Sequence, residues 1–182
     1  MKTKELVKQV ATFLQHGDIL EADLDKFDGL GESLQKDINL IVSCLNETLS
    51  DIATEYINLT NTEKIEVKNG VFDTKNLSKK LHKAKKLGNN QKFSIVADTL
   101  FADEGTYDFV YDYLPDEVDL DGEFFDFVGL PKYAIAYSVC SEYCLILGSF
   151  SESEMWESRF ENLMKSCTSN LKVFAPKNKR WL

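Results

Sequence analysis

The segment from Pro131 to Cys167 contains the densest apolar and aromatic pattern in the chain. Its apolar residues recur at steps of three and four, a spacing that places side chains on one face of a helix. In the first half they are Tyr133, Ala136, Tyr137, Cys140, Tyr143, Cys144 and Leu147, and in the second half Met155, Trp156, Phe160, Leu163 and Met164. Gly148 interrupts the pattern, and Ser151 is suited to cap the second helix. The segment therefore predicts a helical hairpin.

Two more helices are predicted nearer the N-terminus. Apolar residues at helical spacing cover residues 3–16, with Thr3 placed to cap the helix. The longest periodic stretch in the chain covers residues 33–57 and predicts the most regular helix. Between them, residues 17–33 are rich in Gly and Asp, which indicates a loop with a turn of helix.

Residues 63–114 change to the alternation that is typical of strands. KIEVK leads into Asn69-Gly70, a hairpin signal, and KFSIVA, TLFAD and TYDFVYDYLP are rich in β-branched and aromatic residues. Residues 76–87 fit a short helix or a helical turn leading into a strand, and we predict the second. The fold class is α+β: N-terminal amphipathic helices including one long helix, a small antiparallel β-sheet with hairpins, and a C-terminal helical hairpin over residues 132–166.

Length and composition restrict the organisation of the chain. A chain of 182 residues with 43% hydrophobic content is large enough for one well-buried core. We predict one α+β domain over residues 1–166 and an extended C-terminal arm over residues 167–182. The chain has neither a run of about eighteen apolar residues nor a leader with a cleavage site, so we expect a soluble, unprocessed protein without a membrane span.

The residues that most often carry chemistry do not form a known catalytic motif. Cys44, Cys140, Cys144 and Cys167 lack the CxxC pairs or nearby histidines of a zinc site. Cys140 and Cys144 lie one helical turn apart, and for them buried free thiols are favoured over a disulfide or a two-thiolate metal site. Glycine-rich phosphate loops, GxSxG and HExxH are absent. We therefore expect no enzyme activity, catalytic residue, metal or cofactor. The weakest alternative is a hydrolase that uses the carboxylates of residues 119–126 with a metal.

Charge also narrows the choice of partner. The net charge of −9 disfavours a conventional nucleic-acid-binding protein, which needs clustered basic residues. The lysines between Lys79 and Lys86 are interpreted as the polar face of a surface element, with a phosphate-contacting patch as the alternative. The acidic segments at residues 17–33 and 116–127 lack the ligand order of an EF-hand, and the first is better explained as a capped acidic loop.

Three stretches, taken in chain order, carry a family resemblance. They are CLNETLSDIATEYINL passing into EKIEVKNGVF, then TLFADEGTYDFVYDYLPDEV, and then AIAYSVCSEYCLILGSFSESEMWESRF. In element order and residue character the chain resembles the head-to-tail adaptor (connector) proteins of tailed bacteriophages, of the tail tubular protein A type. The loop at residues 17–33 has no counterpart in that pattern.

The resemblance implies a virion structural protein at the head-to-tail interface, made in the host cytoplasm. Members of the family form a twelvefold homo-oligomeric ring, bind the portal protein on one side and tail or neck proteins on the other, and let the genome pass through the channel without specific binding of DNA. Their C-terminal extensions grip the portal. The alternative is a small intracellular protein-binding module without catalytic activity.

The C-terminal arm is the predicted partner-binding site. Its aromatic and basic residues fit either a loosely packed chain end or an arm that docks on a neighbour, since Trp and Arg are enriched at interface hot spots. The resemblance makes the portal that neighbour. The predicted portal-docking residues are Phe174, Lys177, Lys179, Arg180, Trp181 and Leu182.

Overall fold

The computed structural model describes residues 1–124, 127 and 129–170. Helices and antiparallel strands both occur, so the predicted α+β class is confirmed. The α-helices are α1 (Thr3–Leu14), α2 (Gly17–Glu21), α3 (Glu32–Asp51), α4 (Lys132–Ile146) and α5 (Phe150–Asn170). The strands are β1 (Thr60–Val67), β2 (Val71–Asp73), β3 (Leu81–Leu87), β4 (Ser94–Val96), β5 (Thr99–Phe101) and β6 (Gly105–Tyr113). A π-helical turn, Ile52–Tyr56, extends α3, and 3₁₀ turns occupy Leu24–Gly29 and Thr74–Asn76.

The chain forms two compact units. The first combines Met1–Leu49 with the described residues between 117 and 170, and the second is the intervening segment Ser50–Asp116. The prediction of a single domain over residues 1–166 stays a prediction. The long helix, the N-terminal helix and the C-terminal hairpin all occur close to their predicted bounds.

The first unit is built around α4. Side chains on nearly every side of this helix are buried, as in a helix at the centre of a bundle. α1 and α5 pack against it, and Thr48 of α3 donates a hydrogen bond from Oγ1 to the buried Ser138 Oγ at 3.2 Å. The apolar periodicity of these helices therefore produces a helical core.

An extended segment that follows the second unit is fixed to this helical core. Asn46 on α3 holds the backbone of Val118 with two 2.9 Å hydrogen bonds, donating from Nδ2 to the carbonyl and accepting the N–H at Oδ1. The Thr3 N–H donates to the Gly122 carbonyl at 3.1 Å. Lys2, not Thr3, precedes the first helical residue, so the predicted cap at Thr3 is wrong: its hydroxyl also donates to Gly122.

The second unit contains two three-stranded antiparallel sheets, ordered β1-β6-β3 and β2-β5-β4, where one small sheet was predicted. Their common core is Ile65, Val67, Leu77, Leu87, Leu100, Phe109 and Tyr111. Of the helical turn and strand predicted over residues 76–87, the strand is confirmed as β3, whereas the helical turn, Thr74–Asn76, lies almost entirely before that range.

The hairpin predicted at Asn69-Gly70 is reduced to its turn. Both residues have positive φ, and Lys68 and Val71 exchange two backbone hydrogen bonds across the turn. Beyond that bridge the strands separate, because β1 forms an eight-residue ladder with β6 whereas the three-residue β2 pairs with β5. Strand β2 ends at Asp73, whose carboxylate accepts the Lys75 N–H and starts the 3₁₀ turn.

Candidate functional site

The connection between α4 and α5 leaves four large apolar side chains exposed. Leu145, Ile146 and Leu147 expose 46, 53 and 55% of their surface, and Phe150 exposes 69%. We call these four residues the apolar tip. Scattered exposed apolar residues are ordinary, but a cluster of large ones at one corner of a fold is typical of a contact surface.

The backbone of the turn holds the tip outside the core. Gly148 has φ of 77°, the left-handed conformation that commonly ends a helix, and its N–H donates to the Leu145 carbonyl at 3.0 Å. The Ser149 carbonyl then accepts the N–H groups of Glu152 and Ser153 at the start of α5. The predicted cap at Ser151 is wrong, since α5 begins one residue earlier at Phe150.

The tip stands on a well-packed base. Ser141 of α4 donates a hydrogen bond from Oγ to the Ser153 carbonyl of α5 at 3.0 Å, and both side chains are buried. The Trp156 ring lies 5.4 Å from that of Tyr137, and the Arg159 guanidinium lies 4.6 Å from the centre of the Trp156 ring. The first two of these contacts join α4 to α5, so the exposed side chains project from two helices that pack against each other.

The cysteines of the helical unit behave as packing residues. Cys44, Cys140 and Cys144 are buried free thiols, as predicted for Cys140 and Cys144, and Cys167 is a half-buried free thiol. Burial raises the pKa of the Cys44 thiol to about 12, and the Glu47 carboxylate adds to this shift. Burial also raises the pKa of Cys140, and a smaller electrostatic effect of the neighbouring Cys144 raises it further. Thiols this far from ionisation are poor nucleophiles.

The acidic loops are held by a lysine and by backbone groups. The Lys4 ammonium forms 2.6 Å ion pairs with both Asp25 and Asp121. Hydrogen bonds to these carboxylates raise the pKa of Lys4, and the bond to Asp121 has the larger effect. Asp23 accepts the Asp25 N–H, which caps the following 3₁₀ turn as the capped-loop interpretation predicts. Within the described residues, His, Cys, Asp and Glu side chains form no group of three or more that could hold a metal.

Most of the lysine-rich segment lies on β3, at the edge of the β1-β6-β3 sheet, and Lys79 and Lys80 precede this strand. Lys79 forms a 2.6 Å ion pair with Asp116, and Lys85 forms one of the same length with the buried Asp112. His82 is exposed on this strand, whereas His16 lies against the Tyr143 ring with 5.5 Å between the centroids.

The predicted docking residues of the arm all lie outside the described residues: Phe174, Lys177, Lys179, Arg180, Trp181 and Leu182. Helix α5 ends at Asn170, so the arm follows directly from the helix that begins with Phe150 of the tip. The hydrolase alternative depends on residues 119–126, of which Asp121 is bound to Lys4 and Asp126 lies outside the described residues.

The fold and the tip together define an α+β protein with four large apolar side chains exposed where α4 meets α5. No protein-family model matches the chain, and no curated protein matches its sequence. In the described residues, every helix is too short or too polar to cross a membrane.

Sequence reasoning placed Leu147 on the packed face of the hairpin and missed the tip. The available signal was the run Leu145-Ile146-Leu147, because three consecutive residues on a helix cannot share one face. An apolar run of this kind just before a glycine indicates that at least one side chain points away from the core.

Proposed function

We propose that this protein is a bacteriophage head-to-tail adaptor, a virion component that assembles into a homo-oligomeric ring, which we infer to be dodecameric, between the portal and the tail or neck proteins. The genome passes through the ring without specific binding of DNA. The proposal is supported by the order of elements in the chain and by the family resemblance of three long stretches. One further observation, the position of the apolar tip, favours an assembly role.

Helix α5 separates two regions suited to contact partners. It has 21 residues, so its ends lie about 30 Å apart at 1.5 Å per residue. The first end carries Phe150 of the apolar tip, and the second leads into the basic, aromatic arm. A rigid helix with a contact region at each end suits a subunit that joins neighbours. We assign the tip to the neighbouring copy in the ring and the arm to the portal.

The charge of the helical unit fits a channel component. Residues 1–49 and 117–170 contain 19 acidic and eight basic residues. Like-charge repulsion would keep DNA from adhering to such a surface. Packing alone accounts for the buried Trp156, Cys140 and Cys144, which is consistent with a structural role.

Native mass spectrometry and negative-stain imaging of the full chain, alone and with portal protein, test the proposal. We expect a closed ring, or ring formation on addition of portal. A protein that stays monomeric and does not bind portal would exclude the adaptor function.

Two variants separate the roles of the tip and the arm. Leu147→Ser should reduce ring formation while leaving the circular dichroism spectrum unchanged, because Leu147 is exposed. Leu20→Ser, which changes an exposed leucine on α2, is the matched control and should assemble normally. Deletion of residues 174–182 should weaken attachment to portal without unfolding the protein. Loss of helicity on this deletion would instead show that the arm belongs to the core.

A protein-binding module that acts as a monomer is the second candidate. The apolar tip favours it as well, because one exposed apolar surface is sufficient to bind one partner. The location of the gene discriminates between the two candidates: an adaptor should be encoded among portal, capsid and tail genes.

A further inference from the structure

The second unit contains an open groove of about 820 Å³ between β3 and β4. Its apolar residues include Leu77, Leu81, Phe93 and Ile95. Each of them belongs to the core of this unit or packs against it, so the groove opens directly onto the hydrophobic core. A groove of this size and composition is suited to receive side chains of a ligand.

Two edge strands border the groove. β3 is the outer strand of one sheet and β4 the outer strand of the other, and in the described part of the chain neither pairs with a further strand. Such edges present backbone N–H and C=O groups that an extended polypeptide can bind. Val96 of β4 leaves 64% of its surface exposed at this edge.

The groove carries more basic than acidic side chains. Four lysines, Lys75, Lys79, Lys80 and Lys83, and one carboxylate, Asp98, line it, and Lys75 pairs with Asp98 at 3.0 Å. Lys80 and Lys83 line the groove and are exposed, and no carboxylate among the described residues forms an ion pair with either of them. Lys79, next to them, holds the Asp116 carboxylate at 2.6 Å. The Leu114 N–H donates to the Lys80 carbonyl at 3.0 Å and continues the pairing of β6 with β3. Lys80 and Lys83 are therefore the two lysines of the groove that can pair with carboxylates of a ligand.

The chemistry of the groove discriminates among occupants. The apolar floor fits aliphatic side chains, and the net charge of −9 disfavours binding of nucleic acid. The C-terminal arm of this chain is basic, and its acidic stretch at residues 117–124 is held by Asn46 and Thr3. Lysines on an edge strand also oppose pairing between identical copies. These observations disfavour nucleic acid and a second copy of this chain.

We propose that the groove between β3 and β4 binds an extended, acidic segment of another protein. Aliphatic side chains of that segment occupy the floor formed by Leu77, Phe93 and Ile95. Its carboxylates pair with Lys80 and Lys83. The site lies in the second unit, and its existence does not depend on the adaptor function.

Fluorescence polarisation with the full chain tests the site. The probe is a fluorescein-labelled peptide, DLDVDLD, which alternates carboxylates with aliphatic residues. We expect saturable binding that weakens as NaCl rises from about 0.1 to about 1 M, because salt screens exposed charge pairs. The uncharged peptide NLNVNLN should bind about tenfold more weakly, since it keeps the aliphatic residues and loses the charge pairs.

Charge-reversal variants locate the site. The double variant Lys80→Glu with Lys83→Glu should weaken binding of DLDVDLD about tenfold or more. The control is Lys64→Glu with Lys68→Glu, which reverses two exposed lysines at the opposite edge of the same sheet and should leave binding unchanged. All four positions are exposed, so both variants should keep the wild-type circular dichroism spectrum.

Several results would overturn the proposal. If both double variants weaken binding of DLDVDLD equally, the effect is one of overall charge and not of the groove. If DLDVDLD and NLNVNLN bind equally well, the lysines do not contribute to binding. Tighter binding of a single-stranded oligo(dT), lost in the Lys80→Glu, Lys83→Glu variant, would make the groove a nucleic-acid site. Self-association lost in that variant during analytical ultracentrifugation would make a second copy the occupant.

Discussion

Asn46 should contribute more to stability than any ordinary surface asparagine on the same helix. Its side chain makes two 2.9 Å hydrogen bonds with the Val118 backbone and so fixes the extended segment to α3. At about 1 kcal/mol per hydrogen bond, Asn46→Ala should lose about 2 kcal/mol. Alanine regains about 0.6 kcal/mol through its higher helix propensity. The expected net loss is about 1.4 kcal/mol.

Asn39→Ala on the same helix is the matched control. Asn39 is exposed, and no described residue forms a side-chain hydrogen bond with it. Asn39→Ala should therefore raise the free energy of unfolding by only the helix-propensity gain of about 0.6 kcal/mol. The two variants should then differ by about 2 kcal/mol in the free energy of unfolding, measured by urea denaturation with circular dichroism. A difference below about 0.5 kcal/mol would mean that water replaces the Val118 contacts without loss, and would refute the reasoning.

Three further predictions concern the helical unit. In the native protein a thiol reagent should label Cys167 first, while Cys44 and Cys140 react only after unfolding; rapid labelling of Cys44 and Cys140 in the native protein would contradict their burial. Because the folded pKa of Cys44 is raised from 9.0 to about 12, the unfolded state loses this proton first as pH rises, so urea stability should fall between pH 9 and 12, and less steeply in Cys44→Ala. Gly148→Ala should cost about 1–2 kcal/mol because of its positive φ, whereas Gly29→Ala, which also meets open space but has an ordinary φ, should cost much less.

Local patterns predicted the elements of this fold well. Helical spacing predicted α3 and the α4–α5 hairpin, and alternation predicted the strands of the second unit, because both patterns follow from the geometry of a single element. These local patterns could not predict which strands pair with each other. The turn at Asn69-Gly70 was identified correctly, yet β1 pairs with β6, about 40 residues later in the chain, through a ladder that no local signal encodes. The division into two sheets is likewise a property of long-range pairing.

The candidate sites were less predictable than the fold. Thr3 and Ser151 have the residue types of helix caps, but the Thr3 hydroxyl binds the Gly122 carbonyl instead, and α5 starts before Ser151. Exposure of the apolar tip depends on where the helix ends, and therefore on the left-handed Gly148. The groove forms only because β3 and β4, which belong to different sheets, lie next to each other. That these strands follow one another in the sequence is weak evidence for this arrangement.

The apolar tip and the basic groove should respond to salt in opposite ways, and this difference allows their roles in assembly to be separated. Contacts between apolar surfaces keep or gain strength at high salt, whereas pairs between exposed charges are screened. If the ring forms through the tip, it should persist at about 1 M NaCl, where the Debye length is about 3 Å, while binding of an acidic segment in the groove is lost. If the ring dissociates at this salt concentration and Leu147→Ser assembles normally, the subunit interface is formed by charged surfaces and not by the tip.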